Sequence, residues 1–118
     1  MGNTCVTQSH LEIRYYVTAG GHQPFAEWFA DFEPVARAKV TRAIARMEQG
    51  NLSNVKPVGE GVLEYRIDFG PGYRVYFGRD GEKMVILLTG GTKKRQQRDI
   101  DAAHTYWQDY KQRKRARR

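Results

Sequence analysis

The sequence predicts an α+β fold: an antiparallel meander sheet with an N-terminal strand, a helical hairpin packed on one face, and a C-terminal helix. Two changes of hydrophobic period predict it. Apolar residues recur at helical spacing between positions 24 and 49 and again from about position 95, whereas from 63 to 88 they alternate every second residue. Glycine-rich punctuation separates the blocks, at Gly20-Gly21, Gly50, Gly70-Pro71-Gly72 and Asp80-Gly81.

Each element has a local cause. Residues 11–18, LEIRYYVT, are rich in β-branched and aromatic side chains and end at a glycine pair, the pattern of a strand. Pro24 suits the first turn of a helix, where its missing N–H costs nothing. Phe25, Trp28, Phe29 and Phe32 then share one helical face, as core residues do. Glu33-Pro34 breaks that helix, because a residue before proline is pushed out of the α region. A second helix runs to about Gln49, with Ala36, Val40, Ala43, Ile44 and Met47 on its apolar stripe and Gly50 as its C-cap. Residues 51–61 read as a loop.

Beyond that loop, Leu63, Tyr65, Ile67 and Phe69 alternate with Glu64, Arg66 and Asp68, and Tyr73, Val75 and Phe77 with Arg74 and Tyr76. An odd-length loop at Gly70-Pro71-Gly72 pairs Ile67 with Val75 and Tyr65 with Phe77, keeping apolar residues on one face. A two-residue turn at Asp80-Gly81 sets Phe77 opposite Met84 and Val75 opposite Ile86. Arg66 and Arg74 then become diagonal neighbours on the face away from Ile67, Val75 and Ile86. A final helix over about 95–111 turns Ile100, Ala103, Trp107 and Tyr110 inward, and 111–118, KQRKRARR, reads as a mobile basic tail.

A chain of 118 residues is expected to form one domain, 1–118. Its net charge of +7 suits an anionic partner, most often nucleic acid; a solubility surplus or an acidic partner protein are the other readings. Cys5 is the sole cysteine, which leaves no internal disulfide or thiol-ligated metal site and fits a reducing, cytoplasmic setting. No apolar run reaches transmembrane length and no signal-peptide core opens the chain, so no membrane partner is expected. Met1-Gly2 resembles a myristoylation start, but Val6 stands where Ser or Thr is required.

Zinc-type spacings, phosphate-cradling loops and serine nucleophile elbows are absent from the sequence. His10, His22 and His104 are far apart, and only His104 sits where a helix brings it near the strand ends. The cationic sheet face remains. Arg66 and Arg74, with Lys93 or Lys94 after the last strand, suit a phosphodiester clamp, since guanidinium forks match phosphate oxygens and hold charge at any ordinary pH. The competing reading pairs them with Glu64 and Asp68 as cross-strand salt bridges. Lys39, Arg42 and Arg46 share a helical face that is either solvated or set against nucleic-acid backbone.

The order of elements, with VKPVGEGVLEYRIDFGPGYRVYF, VILLTGG and KRQQRDI, resembles the RelE/ParE toxin superfamily, most of all its HigB-like branch of phage-derived addiction-module killer proteins. The resemblance implies a RelE-like, microbial-ribonuclease-type fold and the toxin of a type II toxin–antitoxin system. Such a toxin is an endoribonuclease that cuts mRNA on the ribosome, using the RNA's own 2′-hydroxyl and no metal or cofactor. It further implies a cognate antitoxin, a small helix-turn-helix protein. Arg74 matches a catalytic arginine position, Arg66 lies where relatives carry a basic residue, and Lys93 and Lys94 match the basic segment after the last strand. Thr92-Lys93 stands where many relatives carry Asp-Lys, and Tyr106 is a candidate for the functional C-terminal tyrosine of some members. Lys39, Arg42, Arg46, Tyr76, Arg95 and Arg98 are the expected RNA contacts. ParE-like members instead poison DNA gyrase, and a non-catalytic, phage-derived RNA-binding protein is the remaining alternative.

Overall fold

The computed structural model describes residues 10–117; Cys5, the Met1-Gly2 opening and Arg118 lie outside the described residues. Strand β1 (Glu12–Tyr15) leads into helix α1 (Pro24–Ala30) and helix α2 (Pro34–Glu48), both with proline in the first turn. Strands β2 (Val55–Pro57), β3 (Leu63–Ile67), β4 (Tyr73–Asp80) and β5 (Met84–Thr92) follow as an antiparallel meander. A single 3₁₀ turn, Lys93–Arg95, then opens helix α3 (Gln96–Ala116). The sheet order is β1-β5-β4-β3-β2, with β1 parallel to β5. This is the expected α+β, RelE-like arrangement.

The sheet is covered on both faces. On one, Val75, Phe77, Val85 and Leu87 pack with Phe25 of α1 and with Val40, Ala43 and Met47 of α2. On the other, Tyr76, Ile86, Leu88 and Val62 pack with Ile100, Ala103 and Trp107 of α3. A fully buried side chain of this kind contributes roughly 1.5–3 kcal/mol. Two strand glycines admit the indoles: a Cβ at Gly90 would collide with Trp28 on the first face, and one at Gly78 would stand 2.6 Å from Trp107 on the second.

Several expectations are corrected. The turn after β4 is longer than Asp80-Gly81 requires, because Asp80 pairs with Met84 and Phe77 with Leu87, and a bulge between Tyr76 and Phe77 shifts the register again. Ile86 and Leu88 therefore face α3, not the helical hairpin. The physical reason is that β5 is buried on both faces and carries no polar alternation to reveal which is which. The hairpin between β3 and β4 keeps the expected parity but closes two residues earlier, with Ile67 opposite Tyr73 and Tyr65 opposite Val75. Its loop is held by the Phe69 amide on the Ile67 carbonyl and the Gly72 amide on the Phe69 carbonyl, both 3.0 Å, with Gly70 and Gly72 at φ +55° and +79°. Residues 51–61, read as a loop, contain the short edge strand β2. The first strand is shorter than 11–18. The final helix runs to Ala116, beyond its expected end near Lys111, where Arg113 bonds Asp109 and the Val17 carbonyl and Lys114 bonds Asp80.

Candidate nucleic-acid interface

Two rows of side chains cross β2 to β5 on the α3 face. Lys56, Glu64 and Tyr76 form one by direct cross-strand pairing. Arg66, Arg74 and Gly91 form the next. Arg66 and Arg74 are thus directly opposite, not diagonal as the sequence suggested. Like charges in that relation destabilise a sheet unless something neutralises them. The salt-bridge reading accounts for only one of them. Glu64 approaches the Arg74 Nε at 3.9 Å, whereas Arg66 and Asp68 make no ion pair with any described residue.

The two arginines differ in exposure. Arg66 is open to solvent, while Arg74 is 4% exposed and lies beneath the start of α3. Its Nη1 donates to the Gly72 carbonyl at 3.1 Å, and the Lys93 amide donates to that same oxygen at 2.9 Å. One carbonyl in the glycine loop therefore fixes both Arg74 and the backbone of the basic 3₁₀ turn. Glu64, fully buried, accepts from Gln96 Nε2 at 2.8 Å and has Lys56 Nζ at 3.9 Å.

Four polar atoms around this point have no hydrogen-bond partner among the described residues: Glu64 Oε1, Arg74 Nε, Tyr76 OH and Asp99 Oδ2. The cluster is electrostatically tense. Burial, then the facing Glu64 carboxylate, push the Tyr76 phenol up. Burial likewise raises the Asp99 carboxyl, against the pull of Arg95 and Arg98. Asp99 stands over Gly91, where a Cβ would collide with it. The glycine pair Gly90-Gly91 is thereby explained by packing, Trp28 on one face and Asp99 on the other.

Three clefts share Arg66 and Asp68. One, of about 250 Å³, brings Lys39, Arg42 and Arg46 of α2 to Arg66. Another, of about 330 Å³, joins Arg66 to Arg74, Lys93 and the 69–72 loop. The third runs along β2, with Ser53, Asn54 and Lys56. Six of the expected basic residues thus converge on one surface. Lys94, Arg95 and Arg98 are exposed but line none of these clefts. Tyr76, expected as an RNA contact, is fully buried under α3 and presents no surface, a correction that follows from α3 covering this face. Tyr106 stacks on Tyr16 at 5.1 Å, and His104 Nε2 bonds the Val58 carbonyl at 2.9 Å; neither lines the clefts. Sequence reasoning cast Asp68 only as a salt-bridge partner. The signal it lacked was register, which leaves this carboxylate without a cation of its own.

Among the described residues, no group of three or more His, Cys, Asp or Glu is placed to hold a metal ion, and no helix is long and apolar enough to cross a membrane. Residues 27–110 match the family described as phage-derived protein Gp49-like (DUF891). An uncharacterised protein of Haemophilus influenzae is 41% identical over 80 residues, covering 67% of this chain and 81% of that protein. The chain belongs to the Gp49-like family of phage-derived proteins.

Proposed function

We propose that this chain is the toxin of a type II toxin–antitoxin pair and acts as a metal-independent endoribonuclease on mRNA, engaged at the ribosome and silenced by a separate antitoxin. The Gp49-like family is associated with toxin–antitoxin toxins. The observation that carries the reading is the directly opposed Arg66–Arg74 pair lining one cleft with Lys93. Glu64 offsets part of the Arg74 charge, and Arg66 has no carboxylate partner among the described residues. The opposed pair therefore keeps a net positive charge that favours an anion upon Arg66, and a phosphodiester supplies the charge and the oxygen geometry.

In the proposed reaction the RNA 2′-oxygen attacks the adjacent phosphorus and its proton passes to the Asp68 carboxylate. The P–O5′ bond breaks, a 2′,3′-cyclic phosphate forms, and the leaving 5′-oxygen takes a proton from the Lys93 ammonium or from solvent. Arg66 and Arg74 stabilise the charge that builds on the non-bridging oxygens, a contribution that costs about 10²–10³ in rate when one such donor is removed. Lys39, Arg42 and Arg46 hold the flanking backbone.

A second reading, a non-catalytic RNA-binding protein, is favoured by the burial of Arg74, which leaves Arg66 as the more accessible guanidinium. Expression of the chain alone, with Arg66→Ala as the control, separates the two. Growth arrest with mapped mRNA breaks, absent in the variant, supports the nuclease. Arrest with intact mRNA excludes it, and DNA damage instead points to gyrase.

A further inference from the structure

Phe69 belongs to neither hydrophobic cluster, although it continues the apolar side of β3 in sequence. It sits half-buried in the loop between β3 and β4, held by the two backbone hydrogen bonds that fix that loop. Phe69 lines both the cleft of Lys39, Arg42 and Arg46 and the cleft of Arg74 and Lys93. The Lys39 ammonium rides over its ring at 5.2 Å. The Tyr73 ring lies 6.4 Å away at 28°, itself 5.0 Å from Phe32. The ring therefore has an aromatic neighbour and one cation over its face, and its residue borders two clefts that hold further cations.

We propose that Phe69 is a stacking platform for one unpaired base of single-stranded RNA, whose neighbouring phosphates lie on the α2 cations and on Arg66 and Lys93. This rests on the RNA reading above and narrows its substrate class. Every base has a π face, so an aromatic ring among cations accepts any sequence but requires an unpaired base. Lys39 now occupies the ring, yet an exposed cation–π contact is weaker than base stacking. Its flexible stem lets the ammonium move from ring to phosphate, so the exchange retains the charge contact. Bases inside a duplex are already stacked and cannot reach the ring without unpairing.

The test measures binding of a 2′-O-methyl RNA octamer, which cannot be cleaved, and of the same backbone without bases. Phe69→Ala is expected to weaken binding of the octamer about tenfold, leave the base-free strand unchanged and fail to create duplex binding. Phe69→Leu, which keeps apolar volume without a π face, is expected to behave like Phe69→Ala, while Phe69→Trp retains wild-type affinity. Arg66→Ala should weaken both ligands. If Phe69→Leu binds the octamer like wild type while Arg66→Ala weakens both, the platform is wrong and the RNA reading survives. If Arg66→Ala weakens neither ligand, the RNA reading falls with it.

Discussion

The two faces of the sheet are both closed by helices, but they are closed differently. Against α1 and α2 the interface is apolar, from Phe25 and Met47 through Val75, Phe77, Val85 and Leu87. Against α3 the lower part is equally apolar around Trp107, while the part nearest the glycine loop holds Glu64, Arg74, Tyr76 and Asp99 with four polar atoms unsatisfied. Each such atom costs about 1–3 kcal/mol if it stays dry and alone. Four of the five buried side-chain atoms without a hydrogen-bond partner among the described residues gather at this one end of the α3 face, beside the cleft of Arg66, Arg74 and Lys93.

The largest expected effect is on the apolar face. Leu87→Ala should destabilise by about 3 kcal/mol, the usual cost of a core cavity, measured by urea or thermal unfolding. A loss under about 1 kcal/mol would mean that this face relaxes easily and that the contrast is overstated.

Asp99→Asn is expected to act in the opposite direction, stabilising modestly, by no more than about 1 kcal/mol near neutral pH, because it removes the charge of a half-buried carboxylate whose Oδ2 has no hydrogen-bond partner among the described residues. The sign follows from linkage. Burial raises the Asp99 carboxyl above its ordinary 3.8, so the folded chain keeps this proton to higher pH than the unfolded chain does. Its stabilising contribution is full below the ordinary value and is lost as pH rises through the raised one. The gain from the amide should therefore be greater at about pH 7 than at about pH 4; an equal gain, or a loss at neutral pH, would show the carboxylate to be compensated.

Smallest in stability is the combined change Lys39→Ala, Arg42→Ala and Arg46→Ala. These exposed cations should move unfolding by no more than about 0.5 kcal/mol. The same variant should bind RNA with a shallower salt dependence, by roughly two to three phosphates' worth of slope on single strands. An unchanged slope would remove α2 from the interface.

Much of this contrast was legible in the sequence, for definable reasons. The aromatic stripe of α1, the paired prolines at 24 and 34 and the odd parity of the Gly70-Pro71-Gly72 hairpin are local signals, and all lead to the observed elements. Parity alone put Arg66 and Arg74 on one face. Their exact opposition needed the loop's internal hydrogen bonds, which no residue type announces. Ile86 and Leu88 were assigned to the wrong face because a strand buried on both sides has no period to read. The burial of Tyr76 and Arg74 was invisible because it depends on where α3, which begins only at Gln96, comes to rest. Asp68 was hidden in the same way, since whether a carboxylate is paired is decided by register.

The most direct test of the account is cleavage of ribosome-bound mRNA by the purified chain, comparing wild type with Arg66→Ala and reading the chemistry of the cleaved ends. Arg66 is exposed and makes no ion pair among the described residues, and it faces Arg74 across the strands, so its removal should leave stability unchanged or slightly raise it. The account predicts cleavage by the wild type with 2′,3′-cyclic phosphate ends, and a loss of about 10²-fold or more in the variant. Cleavage that leaves 3′-hydroxyl ends, as attack by water does, or that proceeds equally well without Arg66, would contradict it.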